Sequence, residues 1–84
     1  MEIGKKYYII THAYWHVVGE VVEVISPRTV RLKNVRFVYS CNRDWTKFFA
    51  EGFKSDTTFH NWPDGIFTAV NAIEWNHEIP TKEK

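Results

Sequence analysis

Between Gly19 and Tyr39 the chain reads GEVVEVISPRTVRLKNVRFVY, three β-branched runs at residues 21–25, 29–33 and 35–39 with turn chemistry between them. In Ser26-Pro27-Arg28-Thr29, proline at the second position pre-sets φ for a tight turn, and serine at the first can close it. Along residues 29–33, Val30 and Leu32 alternate with Thr29, Arg31 and Lys33, the period of a half-buried antiparallel strand with a cationic outer face. At Asn34 the phase inverts: Val35, Phe37 and Tyr39 now share a face, and Arg36 joins Val38 on the other. A single asparagine between runs of opposite phase predicts a bulge or sharp bend, the device that curls a small sheet towards a barrel.

The same reading extends in both directions. Lys5-Lys6 leads into a first strand at residues 7–11, and His12-Ala13-Tyr14-Trp15-His16 joins it to Val17-Val18. Gly19, inside a β pattern, predicts a bend or a close backbone approach. After Tyr39 the period changes to that of a helix. Trp45, Phe48 and Phe49 fall at i, i+3 and i+4, Asn42 or Asp44 supplies a cap, and Gly52 supplies the stop, which predicts one helix of about two turns within residues 42–52. So short a helix is unstable alone, so its aromatic face must pack on the sheet. Residues 56–58 read as a loop. Trp62-Pro63-Asp64-Gly65-Ile66 reads as the turn of a bulged hairpin with arms at 59–62 and 66–70, the second extended through 71–75.

These elements predict a mainly β fold, an SH3-like small barrel or strongly bent antiparallel sheet with one short α-helix. At 84 residues the chain makes one domain, taken as residues 1–79 with a frayed tail at 80–84. No apolar run approaches the roughly 18 residues needed to cross a bilayer, and MEIGKKYY has no signal-peptide core, so no membrane and a cytoplasmic location are expected. The single cysteine, Cys41, excludes an internal disulfide and suits a reducing compartment. A net charge of +1 argues against an acidic DNA mimic and against a general nucleic-acid binder.

Reaction chemistry finds little foothold. His12 and His16 have the spacing of a metal pair on a helix, but on a strand they would stand about 13 Å apart, and no carboxylate or thiolate cluster completes a site. No metal or cofactor is expected. Cys41, near Asn42 and Arg43, has no sequence-neighbouring histidine to pair with and reads as a packed thiol. The absence of a phosphate-cradling glycine loop or a paired-carboxylate motif argues against an enzyme.

The rings carry more information. Four Trp, four Tyr and six Phe exceed what so small a core readily hides. Trp45, Phe48, Phe49 and Phe37 are expected in the core. Tyr14-Trp15 in a histidine-flanked loop and Trp62 just before a proline turn look like interface anchors, and a homo-oligomer contact through Tyr14, Trp15 and Trp62 is expected. Arg28, Arg31, Lys33, Arg36, Arg43 and Lys47 crowd the middle third. Arginine beside exposed rings is a pairing that recognises phosphate and base together, although a solvated cationic face has the same composition. On that pairing Arg36, helped by Arg28 or Lys47, would hold a phosphate, and a base would stack on Tyr39, Trp45, Tyr14 or Trp15.

The lysine-led first strand, Thr29-Val30-Arg31-Leu32-Lys33-Asn34-Val35-Arg36, the helix ending Phe48-Phe49-Ala50-Glu51-Gly52, and Ala72-Ile73-Glu74 together resemble a family of short phage-encoded proteins catalogued as a domain of unknown function. Phe37 and Ser40-Cys41 depart from that family's pattern, where a second arginine and an aromatic stand. The resemblance implies a phage or prophage accessory protein acting in the bacterial cytoplasm. Three non-enzymatic roles follow as expectations: sequestering a small phosphorylated nucleotide signal of the host in counter-defence, docking on a host defence enzyme or nuclease as an inhibitor or adaptor, and weak single-stranded nucleic-acid binding.

Overall fold

The computed structural model describes residues 1–41 and 44–81. Five strands and one helix follow in the order β1 (Lys6–Thr11), β2 (His16–Ser26), β3 (Thr29–Cys41), α1 (Trp45–Glu51), β4 (Thr57–Trp62) and β5 (Gly65–Glu74). All pairings are antiparallel. The order β2-β1-β5-β3-β4, together with a direct β2–β3 pairing, closes a ring of hydrogen bonds through β1, β2, β3 and β5. The mainly β, strongly bent sheet with one short helix read from the sequence is the fold observed.

The bend sits where the apolar phase inverts. β3 is one strand of 13 residues rather than two. Asn34 takes a left-handed φ of 53°, and the register against β2 slips between Val18 and Glu20. Asparagine tolerates that conformation better than any β-branched neighbour would. Gly19 lies across from the bulge. A Cβ there would stand 3.2 Å from the Leu32 Cβ and 3.3 Å from the Lys33 carbonyl oxygen, so only glycine lets the two strands approach this closely. The Ser26–Thr29 pair closes the β2–β3 hairpin as expected.

The inversion sorts side chains into two cores. Tyr7, Ile9, Val17, Val21, Val30, Leu32, Val35, Phe67 and Ala69 fill the ring. Tyr8, Val18, Val38, Phe48, Phe59 and Trp75 form a second cluster between the outside of the ring and α1. β1 serves both, which is why it reads as the unbroken apolar run Tyr7-Tyr8-Ile9-Ile10. Asp44 caps the helix by accepting from the Lys47 N–H at 2.8 Å, and Gly52, at φ 81°, donates its N–H to the Phe48 carbonyl. Asn42, the alternative cap, lies outside the described residues. Trp75, just beyond β5, is the central ring of the second core, within 6.0 Å of Tyr8, Phe48 and Phe53.

One expectation is overturned. Residues 59–62 and 66–70 are not the arms of a hairpin. Trp62 pairs with Val35 and Gly65 pairs with Leu32, so β4 and β5 run in the same direction along one edge of β3. Pro63 and Asp64 interrupt this path across from Lys33 and Asn34, and the register resumes unchanged on the other side. Proline without an N–H is tolerated there because the bulged partner strand is itself out of line. The tail is also anchored further than expected. The Pro80 carbonyl accepts from Arg36 Nε at 2.6 Å, while residues 82–84 lie outside the described part.

The left-handed bulge yields a test. Asn34→Gly should leave stability within about 0.5 kcal/mol of the parent, whereas Asn34→Val should cost about 1–2 kcal/mol, because a β-branched residue at positive φ is strained. Urea unfolding of both variants measures the difference.

Candidate functional site

Beyond Asn34, β3 continues with β4 on one edge as far as Cys41 and with β2 on the other as far as the His16–Val38 pair. The two faces of this part of the sheet have different fates. Val38 and Phe59 point towards α1 and Trp75 and are buried. On the opposite face, the face that lines the ring further down, Phe37 lies across from His60, and Tyr39 follows. Trp15 and Trp62 come to this face from positions 47 apart in sequence. The Phe37 ring stands 5.2 Å from Trp15 and 5.3 Å from Trp62, and the two indoles meet edge to face at 6.0 Å. Tyr39 extends the shelf, 5.1 Å from Phe37 and 4.4 Å from His60. Trp15, Tyr39 and Trp62 are 43%, 56% and 39% exposed.

The β1–β2 loop is a rigid mount. The Thr11 N–H donates to the Trp15 carbonyl, the Tyr14 N–H donates to the Thr11 carbonyl, and the Trp15 N–H donates to Thr11 Oγ1. Tyr14 holds a left-handed φ of 60° at the tip with its ring 80% exposed. A non-glycine residue in that region costs on the order of 1 kcal/mol, and the rest of the loop holds it there. Between this loop and the β4–β5 interruption lies a cleft of about 440 Å³, walled by Trp15, Trp62, Pro63, Asp64 and Ile66 over a floor that includes Phe67.

The cations do not converge on this shelf. Arg36 is buried on the helix-side face of β3, where Nε holds the Pro80 carbonyl and Nη1 donates to the Val35 carbonyl at 3.0 Å. Arg28, in the β2–β3 turn, donates to the Val70 carbonyl at 3.1 Å, at the other end of β3 from the shelf and with the bend at Asn34 between it and Arg36. Arg31 and Lys33 form cross-strand ion pairs with Glu23 at 2.8 Å and Glu20 at 3.4 Å. Lys47 is exposed on α1, and Arg43 lies outside the described residues. Cys41 is half-buried at the end of β3, its sulfur 3.9 Å from Thr57 Oγ1. Among the described residues, no group of three or more His, Cys, Asp or Glu is placed to hold a metal ion.

Trp45 has a different role from the shelf rings. Its indole stacks on the His16 imidazole at 3.8 Å with the planes 9° apart. Tyr8 bonds His16 Nδ1 from below. Burial pushes the Tyr8 hydroxyl up and the His16 imidazole down from their ordinary values. Both shifts favour a neutral pair in which the Tyr8 O–H donates and Nδ1 accepts.

Sequence reasoning singled out Tyr14, Trp15, Tyr39 and Trp62 and gave Asp64 to a hairpin turn. Phe37, expected in the core, is partly buried against the ring core and also meets Trp15, Tyr39 and Trp62, a double contact that its shared phase with Tyr39 allows. No family model, curated protein or solved structure matches the chain. No helix is long and apolar enough to span a membrane among the described residues.

Two outcomes follow. Arg36→Leu should lower stability by about 1–3 kcal/mol in urea unfolding, because two charge-assisted bonds to carbonyls are lost; an unchanged midpoint would mean that the guanidinium is free for other work. The neutral His16 contribution is fully present above the ordinary histidine pKa of about 6.5. It is lost as pH falls from there through the lower folded value, since the unfolded chain takes up the proton first. Thermal midpoints at stepped pH should therefore fall on acidification, and His16→Gln should flatten that slope.

Proposed function

We propose that this protein is a non-enzymatic binding module that docks on a protein partner through the aromatic shelf of Trp15, Phe37, Tyr39 and Trp62, with Tyr14 at its rim. The observation that carries the reading is the convergence of these rings on a rigid sheet surface that no element of the chain covers among the described residues. Exposed tryptophan and tyrosine on a pre-ordered backbone bury large area at small entropic cost, the profile of interface anchors. In the phage setting implied by the resemblance, the partner is a host defence enzyme or nuclease, and the module acts on it as an inhibitor or adaptor in the bacterial cytoplasm.

Sequestration of a phosphorylated nucleotide is the weaker reading. It needs a cation beside the rings, whereas Arg36 lies on the other face of β3, engaged by carbonyls, and Arg28 is far along the strand. The same shelf would also suit a contact between two copies of the chain, and light scattering with and without partner separates the two uses.

The decisive experiment is affinity capture from bacterial lysate with the parent and two variants as bait. One host protein should be retained by the parent and lost with Trp15→Ala and with Trp62→Ala, each weakening binding by about 30-fold or more, a loss of ~2 kcal/mol. Calorimetry against cyclic dinucleotides and cyclic trinucleotides should show no binding tighter than about 10 μM. Tight nucleotide binding that survives both tryptophan substitutions would replace this reading with the sequestration one.

A further inference from the structure

The cleft beside the shelf has a chemistry of its own. Its walls come from two rigid sources, the Thr11-tied loop carrying Trp15 and the strand interruption Trp62-Pro63-Asp64. Asp64 is the only Asp, Glu, Lys or Arg that lines it, and His12 is the one other titratable side chain there. The other carboxylates near strands are paired: Glu20 with Lys33, Glu23 with Arg31, and Glu74 with Lys5. Asp64 has no ion-pair partner among the described residues and stands exposed beside two indoles. Pro63 on one side and the Gly65–Leu32 pairing on the other fix the backbone that carries it.

A carboxylate lining the same cleft as two tryptophans is suited to one class of guest. An organic cation gains from the ring faces and from the carboxylate together, while an anion or a phosphate is repelled by the carboxylate. A purely apolar guest would use the rings and leave Asp64 to be desolvated without compensation. A guanidinium satisfies all three walls, because its plane stacks on indole while its N–H groups donate to carboxylate. We infer that the cleft accepts an arginine side chain of the protein partner, laid against the indoles of Trp15 and Trp62 with its guanidinium on Asp64. This inference rests on the docking reading above and names the chemistry of the partner segment: basic, and extended enough to present one side chain into a cleft of about 440 Å³.

The probe is a pentapeptide with one arginine between glycines, compared with the same peptide carrying citrulline, the uncharged isostere, or glutamate. Binding is read from the indole N–H signals of the ¹⁵N-labelled full chain, assigned with Trp15→Phe and Trp62→Phe. The arginine peptide should move the Trp15 and Trp62 signals and leave those of Trp45 and Trp75 in place. Citrulline and glutamate should bind at least about fivefold more weakly, and Asp64→Asn should weaken the arginine peptide by about the same factor without changing the melting temperature. Equal binding of arginine and citrulline, no effect of Asp64→Asn, or movement of Trp45 instead overturns the inference. If host-protein capture depends on Trp15 and Trp62 but is unchanged by Asp64→Asn, the docking reading stands and the arginine seat fails. If capture does not need the tryptophans while the peptide binds as described, the seat stands and the docking reading fails.

Discussion

A 13-residue strand must satisfy hydrogen-bonding groups on both of its edges, and every other element here is placed by that requirement on β3. β2 supplies one edge for most of its length. The other is shared end to end by β5 and β4, which follow one register and part only across from Lys33 and Asn34. The break is forced by the bulge. With Asn34 left-handed and Gly19 pressed against Leu32, β3 turns too sharply for a single regular strand to follow, and Pro63-Asp64 spans the corner without needing a ladder N–H. Below the corner the sheet closes into the ring. Above it, β3 continues between β2, paired as far as His16–Val38, and β4.

The two faces of this upper part of the sheet differ because only one of them packs the helix. The helix is too short to stand alone, so its Phe48 and Phe49 must find a surface, and Val38, Phe59 and Trp75 provide it. Arg36 shares that face and serves it by fastening Pro80, so its charge is spent on architecture. The remaining face carries rings that no other element covers among the described residues, and the cleft beside them is lined by one acid, Asp64, and by His12.

Much of this was legible along the chain. The inverted alternation of Val30 and Leu32 against Val35 and Phe37 can be met only by an added residue, so the bulge at Asn34 was readable from spacing alone. Asp44 and Gly52 marked the helix ends by local chemistry that needs no distant partner. Pro63-Asp64-Gly65 misled for the converse reason. Its residues suit a hairpin and a strand corner equally, and the choice is made by β3, about 30 positions earlier in the chain. Arg36 misled in the same way. A cation on a strand is indifferent between a ligand phosphate and the Pro80 carbonyl until the chain 44 positions later is folded against it.

The ring also ties the fold to the order in which the chain is made. Its closing seam pairs Tyr7–Thr11 with Ala69–Glu74, segments separated by almost the whole length of the polypeptide. Seams of such high sequence separation form late, after the entropy of a long loop has been overcome. A ribosome releasing this protein from its amino end therefore exposes a three-stranded meander whose apolar inner face stays open until the last strand has left the exit tunnel. During that interval the nascent chain has a long unpaired β3 edge and several uncovered rings, the state in which small β proteins are most exposed to aggregation and most dependent on chaperones.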